Sequence, residues 1–303
     1  MKQSISTLKR SLVVLAVFLA ATGLAQADFV MYVSDQLADL VHIYNAAGTQ
    51  IGKISVFDPQ GLAFNSSGDL FVANYGSSTV TEYNRSGHLI NTINSGVAAP
   101  EGLVVDSSGN LYVANYGNST VTEYDPSGSL KNTITIASGL GTPLGLAVDS
   151  SKNLFVSDTA NGTVTEYDSS GHLINNPHNP IVGWPTGLAV NSSDDLFIAS
   201  PWNLIAEYDS GLNGGITITD HVDYPGGLAF NSGGDLFVAN LNDITKYDSS
   251  GTYLDTINLG YSPSFIAFGP APVAVPEPSS SVLFGLGALM AGGYAWRKKQ
   301  RTA

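Results

Sequence analysis

Hydrophobic and polar positions repeat along most of this chain with a long period. One segment begins Gly61-Leu-Ala-Phe-Asn and ends Thr-Val-Thr-Glu-Tyr83. Closely similar segments begin at Gly102, Gly145, Gly187 and Gly227. Successive starts are 40 to 43 residues apart. A fixed period of this length is the signature of a repeat architecture in which each repeat is one small structural unit.

Each repeat divides into four short segments of strand type, separated by turn sequences such as Ser-Ser-Gly-Asp and Asp-Pro-Ser-Gly. The second segment, as in Leu70 to Ala73 and Leu236 to Ala239, is apolar at every position. A strand has this composition when other sheets cover both of its faces. Four short strands in about 40 residues, with the second fully buried, predict the blade of a β-propeller. The predicted fold class is therefore all-β.

The two ends of the repeat array determine the predicted number of blades. The first unit lacks an inner strand and opens with the second-strand sequence Phe29-Val-Met-Tyr-Val, followed by a third strand over Asp39 to Tyr44. The last unit, Pro263 to Gly269, is an inner strand with no strands after it. These fragments complement each other, so we expect one blade to contain strands from both ends of the domain. This closure leaves no unpaired edge at the seam and predicts a six-bladed propeller over residues 28–270.

The repeats resemble NHL repeats, as in Gly102-Leu-Val-Val-Asp-Ser-Ser-Gly-Asn-Leu-Tyr-Val-Ala-Asn-Tyr-Gly-Asn118. The resemblance extends over nearly all of residues 29–270 and implies the same propeller fold. This chain departs from the family where the third strand begins. NHL repeats usually carry a basic residue there, and this chain has Thr79, Thr120 and Thr163. The RNA-binding surface known for some family members is therefore not expected here.

Charge in the propeller segment is strongly negative. The chain has 12 Lys and Arg against 25 Asp and Glu, and only 12% of its residues are charged. Seven of the 12 basic residues lie in the two tails, outside 28–274. A surface of this sign repels phosphate backbones, so nucleic acid is not an expected partner. The chain has no cysteine, so packing and backbone pairing alone must hold the predicted exported domain together.

The N-terminal segment has the form of a secretory signal peptide. Basic residues precede an apolar run from Leu12 to Leu24, and Ala25-Gln26-Ala27 places small residues where signal peptidase requires them. We expect residues 1–27 to form a signal helix that is cleaved after Ala27. An ordinary N-terminal helix is the alternative interpretation.

The C-terminal segment has three parts. Pro276, Glu277 and Pro278 lie in a Pro- and Ser-rich linker over residues 271–281, which is followed by an apolar stretch over 282–296 and a basic tail over 297–303. The stretch is long enough to just span the hydrocarbon of a bilayer as a helix. The tail carries Arg297, Lys298 and Lys299. We expect a transmembrane helix whose basic end stays in the cytoplasm.

This arrangement resembles the PEP-CTERM sorting signal, and Pro276, Glu277 and Pro278 match the family motif unaltered. The resemblance implies processing by an exosortase, a membrane protease-transpeptidase of Gram-negative bacteria that make exopolysaccharide. It implies export to the periplasmic side of the inner membrane, and then a place at the cell surface or in the extracellular matrix. A plain C-terminal membrane anchor is the alternative.

Ligands of propellers usually bind on the face where the inner strands begin. Aromatic and acidic residues are common in the loops predicted for this face. The candidate ligand-binding residues are Tyr75, Glu101, Tyr116, Asp158, Trp184, Trp202, Tyr224 and Tyr261. Exposed rings beside acids and amides suit stacking on sugar rings or contact with a peptide. The alternative is that these rings pack between the blades.

An enzymatic alternative is a lactonase or lyase that resembles the regucalcin-like propellers, which bind one divalent metal at the axis through Glu, Asn and Asp. Pro100-Glu101-Gly102 matches the segment that carries their Glu. The corresponding residues of the other repeats are Gln60, Leu144, Thr186, Gly226 and Ser264. This set contains no second carboxylate for a hard metal ion. We therefore expect no catalytic residues, no metal and no cofactor.

The predicted function is that of an exported binding or scaffold propeller, with an exopolysaccharide or an envelope protein as its ligand. The metal-dependent lactonase or lyase is the alternative from another class. A structural matrix protein without a small ligand is a third interpretation. Before processing, contact with the membrane is expected through the C-terminal helix.

Overall fold

The computed structural model describes residues 29–135, 141–178 and 183–272. Within these ranges the chain forms six antiparallel sheets of four strands each. The predicted all-β, six-bladed propeller is confirmed. The predicted terminal helices, over residues 1–27 and 282–296, lie outside the described residues.

Blades 2 to 6 are each formed by four consecutive strands, from the innermost to the outermost. Blade 2 consists of β4 (Pro59–Phe64), β5 (Leu70–Asn74), β6 (Thr79–Tyr83) and β7 (Leu89–Ile93). Blade 3 consists of β8 (Pro100–Val105), β9 (Leu111–Asn115), β10 (Thr120–Tyr124) and β11 (Leu130–Thr135). Blade 4 consists of β12 (Pro143–Val148), β13 (Leu154–Asp158), β14 (Thr163–Tyr167) and β15 (Leu173–His178). Blade 5 consists of β16 (Leu188–Val190), β17 (Leu196–Ser200), β18 (Leu204–Tyr208) and β19 (Gly214–Ile218). Blade 6 consists of β20 (Leu228–Phe230), β21 (Leu236–Ala239), β22 (Asp243–Tyr247) and β23 (Tyr253–Asn258).

Blade 1 is composite, as the sequence predicts. Its outer three strands are β1 (Phe29–Asp35), β2 (Leu40–Tyr44) and β3 (Gln50–Ser55), and its inner strand is β24 (Ile266–Pro270). β24 pairs antiparallel with β1. Ser34 extends this pairing, because its backbone amide donates to the carbonyl of Phe265 at 3.1 Å. Strands from the two ends of the domain therefore close the ring.

The core lies between neighbouring blades. Every residue of the second strands β5, β9, β13, β17 and β21 is buried, which confirms the burial predicted for these apolar segments. Side chains of adjacent second strands pack together, for example Leu70 and Val72 of blade 2 with Tyr32 of blade 1. Burial of apolar surface between blades is the main stabilising contribution in such a ring.

The inner strands pack closely around the axis. A Cβ atom on Gly61 would overlap the carbonyl oxygen of Glu101 in the next blade, and one on Gly102 would overlap the carbonyl oxygen of Leu144. The repeated glycine at the start of each predicted inner strand is therefore required by the close approach of two backbones.

Tyrosines at the ends of the third strands connect neighbouring blades. The hydroxyl of Tyr124 donates to the carbonyl of Ser95 at 2.6 Å, and that of Tyr247 donates to the carbonyl of Asp220 at 2.6 Å. Ser95 and Asp220 lie in the loops that leave the preceding blade. In blade 1, Tyr44 contacts the preceding blade through the hydroxyl of Tyr261 at 2.9 Å.

Candidate functional site: the upper face of the propeller

We define the upper face as the side that carries the loops entering each inner strand and the turns between second and third strands. Side chains from the turn of one blade accept hydrogen bonds from the loop that enters the next blade. Asn203 Oδ1 accepts from the amide of Tyr224 at 2.9 Å, and Ser78 Oγ accepts from the amide of Ala99 at 3.0 Å. These bonds order the loops that carry the candidate residues.

The largest exposed aromatic side chains of this face lie around blade 5. The rings of Trp184 and Trp202 have centroids 5.7 Å apart and planes inclined by 34°. Trp184 is 56% exposed and Trp202 is 64% exposed. Tyr224, whose amide bonds to Asn203 next to Trp202, is 60% exposed. We call these three residues the tryptophan cluster.

The backbone that carries the tryptophan cluster is partly in an unusual conformation. Trp184 and Tyr224 have positive φ angles of 45° and 47°, in the left-handed region that is unfavourable for bulky residues. Asp58 and Ala99, which also precede a proline in the loops entering blades 2 and 3, have φ angles of 50° and 43°, so this conformation belongs to the repeat. The hydrogen bond from the Tyr224 amide to Asn203 helps to hold Tyr224 in it.

A second aromatic group lies on the upper side of blades 2 and 3. Tyr75 and Tyr116 occupy the same turn position in successive repeats, and their ring centroids are 6.1 Å apart. Phe57, in the loop entering blade 2, is largely exposed and adjoins the turn at Gly76. In a ring of six blades, blades 2 and 5 stand opposite each other, so aromatic side chains flank the upper face on both sides.

Two of the predicted ligand-binding residues are engaged inside the protein. Asp158 is fully buried, and its Oδ1 accepts hydrogen bonds from the amides of Thr142 and Asn161. Tyr261 is half-buried, stacks on His42 with centroids 4.6 Å apart, and bonds to Tyr44. Burial and that hydrogen bond raise the pKa of Tyr261. Asp158 thus joins the entry loop and the turn of blade 4, and Tyr261 joins the loop after blade 6 to blade 1.

Glu101 lies in the inner strand of blade 3 and is half-buried. Burial raises its pKa to about 7, and the negative charge of Asp58 contributes to the shift. Asp58 belongs to the loop entering blade 2 and was not among the predicted site residues. Near neutral pH, Glu101 is therefore poised between its neutral and charged forms.

The described residues contain no group of three or more His, Asp or Glu side chains placed to hold a metal ion. The ring of His221 stacks on that of Tyr253, with centroids 3.8 Å apart. Its Nδ1 lies 3.0 Å from Asp220 Oδ1.

Family comparisons identify two features. The model of the NHL repeat matches residues 98–124, which run from the loop entering blade 3 to the end of its third strand. The model of the PEP-CTERM protein-sorting motif matches residues 274–299. The chain carries an NHL repeat and a PEP-CTERM sorting motif. Both predicted resemblances are thereby confirmed.

The sorting motif of this NHL propeller includes Pro276, Glu277, Pro278 and the basic residues Arg297, Lys298 and Lys299. It marks the chain as a protein of Gram-negative bacteria that is exported through the membrane and processed by an exosortase. The motif itself lies outside the described residues, as do Ala25 and Ala27, and signal cleavage stays a prediction. In 29–135, 141–178 and 183–272, no helix has the length and apolarity needed to cross a bilayer.

The chain divides into two units, Met1–Ala271 and Pro272–Ala303. The first contains all the described blades. Of the second, only Pro272 is among the described residues, so the predicted boundaries of the linker, membrane helix and tail stay predictions.

Solved structures share the propeller fold at low sequence identity. A chain of a nidogen–laminin complex is 14% identical with a TM-score of 0.71, over 81% of this chain and all (100%) of that chain. Virginiamycin B lyase from Staphylococcus aureus is 13% identical with a TM-score of 0.63, over 82% of this chain and 92% of that chain. A streptogramin B lyase is 13% identical with a TM-score of 0.58, over 66% of this chain and 68% of that chain. No curated protein matches the chain.

The sequence interpretation missed Phe57, Asp58 and Asn74 on the upper side of blade 2. A signal for Phe57 and Asp58 was available. They stand directly before Pro59-Gln60-Gly61, where the next repeat has Ala98 and Ala99 before Pro100-Glu101-Gly102. Asn74 looked unremarkable because Asn115 occupies the same position in the next repeat.

Proposed function

We propose that this exported NHL propeller is a binding or scaffold protein of the cell envelope or extracellular matrix, and that it is not an enzyme. The tryptophan cluster carries the proposal, because it presents three large aromatic side chains to solvent on one side of the upper face. Exposed aromatic rings are the residues most often responsible for binding energy at recognition surfaces. The export signal supports a ligand outside the cytoplasm.

The charge of the domain limits the kind of ligand. Only five basic residues lie within 28–274, so the propeller has little to offer a polyanion. A neutral polysaccharide or a peptide without strong negative charge fits the aromatic rings and the acidic surroundings better. The nidogen–laminin neighbour comes from a protein–protein complex, which is consistent with a binding role for this fold.

Ligand binding by the tryptophan cluster can be tested with a glycan array and a peptide array. The purified full chain is compared with the double variant Trp184→Ala/Trp202→Ala. Loss of both rings is expected to weaken binding by about tenfold or more. The matched control is Leu89→Ala/Ile90→Ala, which removes two exposed apolar side chains from the outer strand of blade 2 and should bind like the wild type.

Equal binding by the wild type and the tryptophan double variant would contradict this role for the cluster. If the wild type binds nothing on either array, the third interpretation, a structural matrix protein without a small ligand, takes the place of the proposal.

A metal-dependent lactonase or lyase is a second candidate, favoured by one observation. Glu101, with a pKa near 7 at the inner strand of blade 3, has the character of a general acid or base at neutral pH. Two lyases are among the structures of similar fold. Lactone and ester turnover by the full chain, with added calcium or zinc, tests this candidate. Turnover that is abolished in Glu101→Gln would support the enzyme and overturn the non-enzymatic proposal.

A further inference from the structure

Three aromatic side chains form a continuous surface above blades 2 and 3. The rings of Tyr75 and Tyr116 have centroids 6.1 Å apart and planes inclined by 56°. Phe57 adjoins the turn that carries Tyr75, because one of its ring carbons lies 2.9 Å from the point where a Cβ on Gly76 would stand. Phe57 is 62% exposed and Tyr116 is 41% exposed. We call Phe57, Tyr75 and Tyr116 the tyrosine patch.

The repeat does not require aromatic side chains at these positions. In blades 4, 5 and 6, the turn position of Tyr75 and Tyr116 holds Thr159, Pro201 and Leu241. Phe57 stands where the loop entering blade 3 has Ala98. All of these blades nevertheless form the same four-stranded sheet. A contiguous exposed apolar surface that the fold does not need indicates an interaction site.

Hydrogen bonds fix the two turns of the patch relative to each other. The loop entering blade 3 lies between them and bonds to both. The amide of Ala99 in this loop donates to Ser78 Oγ in the turn of blade 2 at 3.0 Å. The amide of Gly117 in the turn of blade 3 donates to the carbonyl of Ala98 at 3.0 Å. A ligand that binds here therefore has to order little backbone, which lowers the entropic cost of binding.

The segments that carry the patch have little charge. The entry loops over 56–58 and 94–99 and the turns over 75–78 and 116–119 contain one charged residue, Asp58. Their other polar side chains are the hydroxyls of serine and tyrosine and the amides of asparagine. These segments offer no cation to a polyanion and only one carboxylate to a basic peptide. Hydroxyls and amides suit an uncharged ligand that can both donate and accept hydrogen bonds.

The exposure of the rings favours a polysaccharide over a peptide. Side chains that anchor a peptide bind most strongly in well-packed pockets from which water is excluded. The rings of Phe57 and Tyr116 lie open to solvent instead. A sugar ring needs only a flat aromatic surface, because its C–H groups are attracted to the negative face of the π system. Its hydroxyls can stay in contact with water and with the neighbouring serines and asparagines.

We propose that the tyrosine patch is a second binding site of the upper face, and that its ligand is an uncharged polysaccharide. The inference rests on the proposed function only for the class of ligand, because the patch shares no residue with the tryptophan cluster. Blade 5, which carries Trp184 and Trp202, stands opposite blade 2 in the ring. Two sites on one propeller can hold two segments of the same polymer, so the polymer is bound more tightly than by either site alone.

The test is native affinity electrophoresis of the purified full chain through gels that contain hydroxyethyl cellulose, dextran or galactomannan, which are uncharged polysaccharides. Retardation at increasing polymer concentration gives a Kd. The variant Phe57→Ala/Tyr116→Thr replaces two exposed rings by the residue types that other blades carry at these positions. We expect it to raise the Kd for a retarding polymer by about tenfold or more. Combining it with Trp184→Ala/Trp202→Ala should abolish the retardation.

The matched control is Leu89→Ala/Ile90→Ala, which removes exposed apolar side chains from the outer strand of the same blade. This variant should be retarded like the wild type. Equal weakening in the control and in Phe57→Ala/Tyr116→Thr would indicate a nonspecific effect and overturn the inference. If the double variant does not fold, Phe57→Ala alone decides the outcome, because its ring is largely exposed.

The second site and the proposed function can fail separately. Unchanged retardation of Phe57→Ala/Tyr116→Thr would overturn the second site, and a loss in Trp184→Ala/Trp202→Ala would still support the tryptophan cluster. No retardation of the wild type by any of the three polymers would also overturn the second site, whereas a peptide ligand found on the array would leave the proposed function in place.

Discussion

Blades 2 and 3 have almost the same sequence in their second and third strands, yet they use it differently. Leu70-Phe-Val-Ala-Asn74 and Leu111-Tyr-Val-Ala-Asn115 form equivalent buried strands, and each asparagine bonds to two threonines. In blade 3 the loop over 94–99 supplies both the Ala98 amide for Asn115 and the Ser95 carbonyl for Tyr124. In blade 2 the loop is shorter, and none of the residues that the structure describes donates to Asn74 Oδ1.

This difference shows that the repeated sequence determines the strands of a blade. The connecting loop determines which hydrogen bonds a repeated polar side chain makes. The Oδ1 of Asn115 accepts from a loop amide in blade 3, whereas nothing among the described residues donates to the Oδ1 of Asn74 in blade 2. Variants made in pairs, one in each blade, separate the shared features from those that depend on the loop.

The largest effect is expected where the two blades are alike. Gly61→Ala and Gly102→Ala should each destabilise the protein by more than about 4 kcal/mol, because the new Cβ would overlap a backbone carbonyl of the next blade. Urea unfolding measures the loss. Gly214→Ala, where a Cβ meets nothing within 4 Å, should be nearly neutral. A small loss at Gly102 would show that the inner strands are less closely packed than described.

The next effect concerns Glu101, which stands where blade 2 has Gln60. The folded pKa of Glu101 is raised to about 7 from an ordinary 4.5. Between these values the folded chain holds a proton that the unfolded chain has lost, so stability falls as pH rises from 4.5 through 7. Glu101→Gln should therefore gain up to about 3 kcal/mol at pH 8 and almost nothing at pH 4.

This pH difference is measured by urea unfolding of both proteins at pH 4 and at pH 8. An equal stability difference at the two pH values would contradict the raised pKa of Glu101.

A smaller difference is expected between the two asparagines. Asn115→Ala should cost about 2–3 kcal/mol, because it breaks the threonine bonds and leaves the Ala98 amide unpaired. Asn74→Ala should cost only about 1 kcal/mol, because no described residue donates to the oxygen that it removes. Unfolding free energies of the two variants test the difference. A larger loss for Asn74→Ala would contradict the account given for its loop.

The smallest effect concerns the interblade tyrosines. Tyr124→Phe should cost about 1 kcal/mol through loss of its bond to the Ser95 carbonyl. Tyr83→Phe, the same change in blade 2, should stay within about 0.5 kcal/mol, as is usual where no specific feature is removed. Equal melting temperatures for the two variants would mean that the longer loop gives blade 3 no stabilising bond.

Much of the fold could be predicted from the sequence because buried strands appear in it as short apolar runs. The apolar run Leu70 to Ala73 and the leading fragment Phe29 to Val33 each correspond to a strand in the structure. The composite blade followed from counting incomplete repeats. These inferences need only periodicity and the requirement that sheet edges be paired.

The site was less predictable, because the role of a polar side chain depends on neighbours that are distant in sequence. Asp158 and Tyr261 occupy predicted face positions, but Thr142, His42 and Tyr44 engage them inside the protein. Asn74 and Asn115 have almost the same local sequence, and the main difference lies in the length and the residues of the preceding loop. The partners of Asp158 and Tyr261, and the difference between Asn74 and Asn115, cannot be seen in the sequence of a single repeat.

The pairing of β1 with β24 also determines where the two ends of the propeller domain lie. Phe29 and Pro270 are register partners at the end of blade 1 that faces away from the upper face. Both ends of the domain therefore lie side by side, on the side opposite the exposed rings of Trp184, Trp202 and Tyr224.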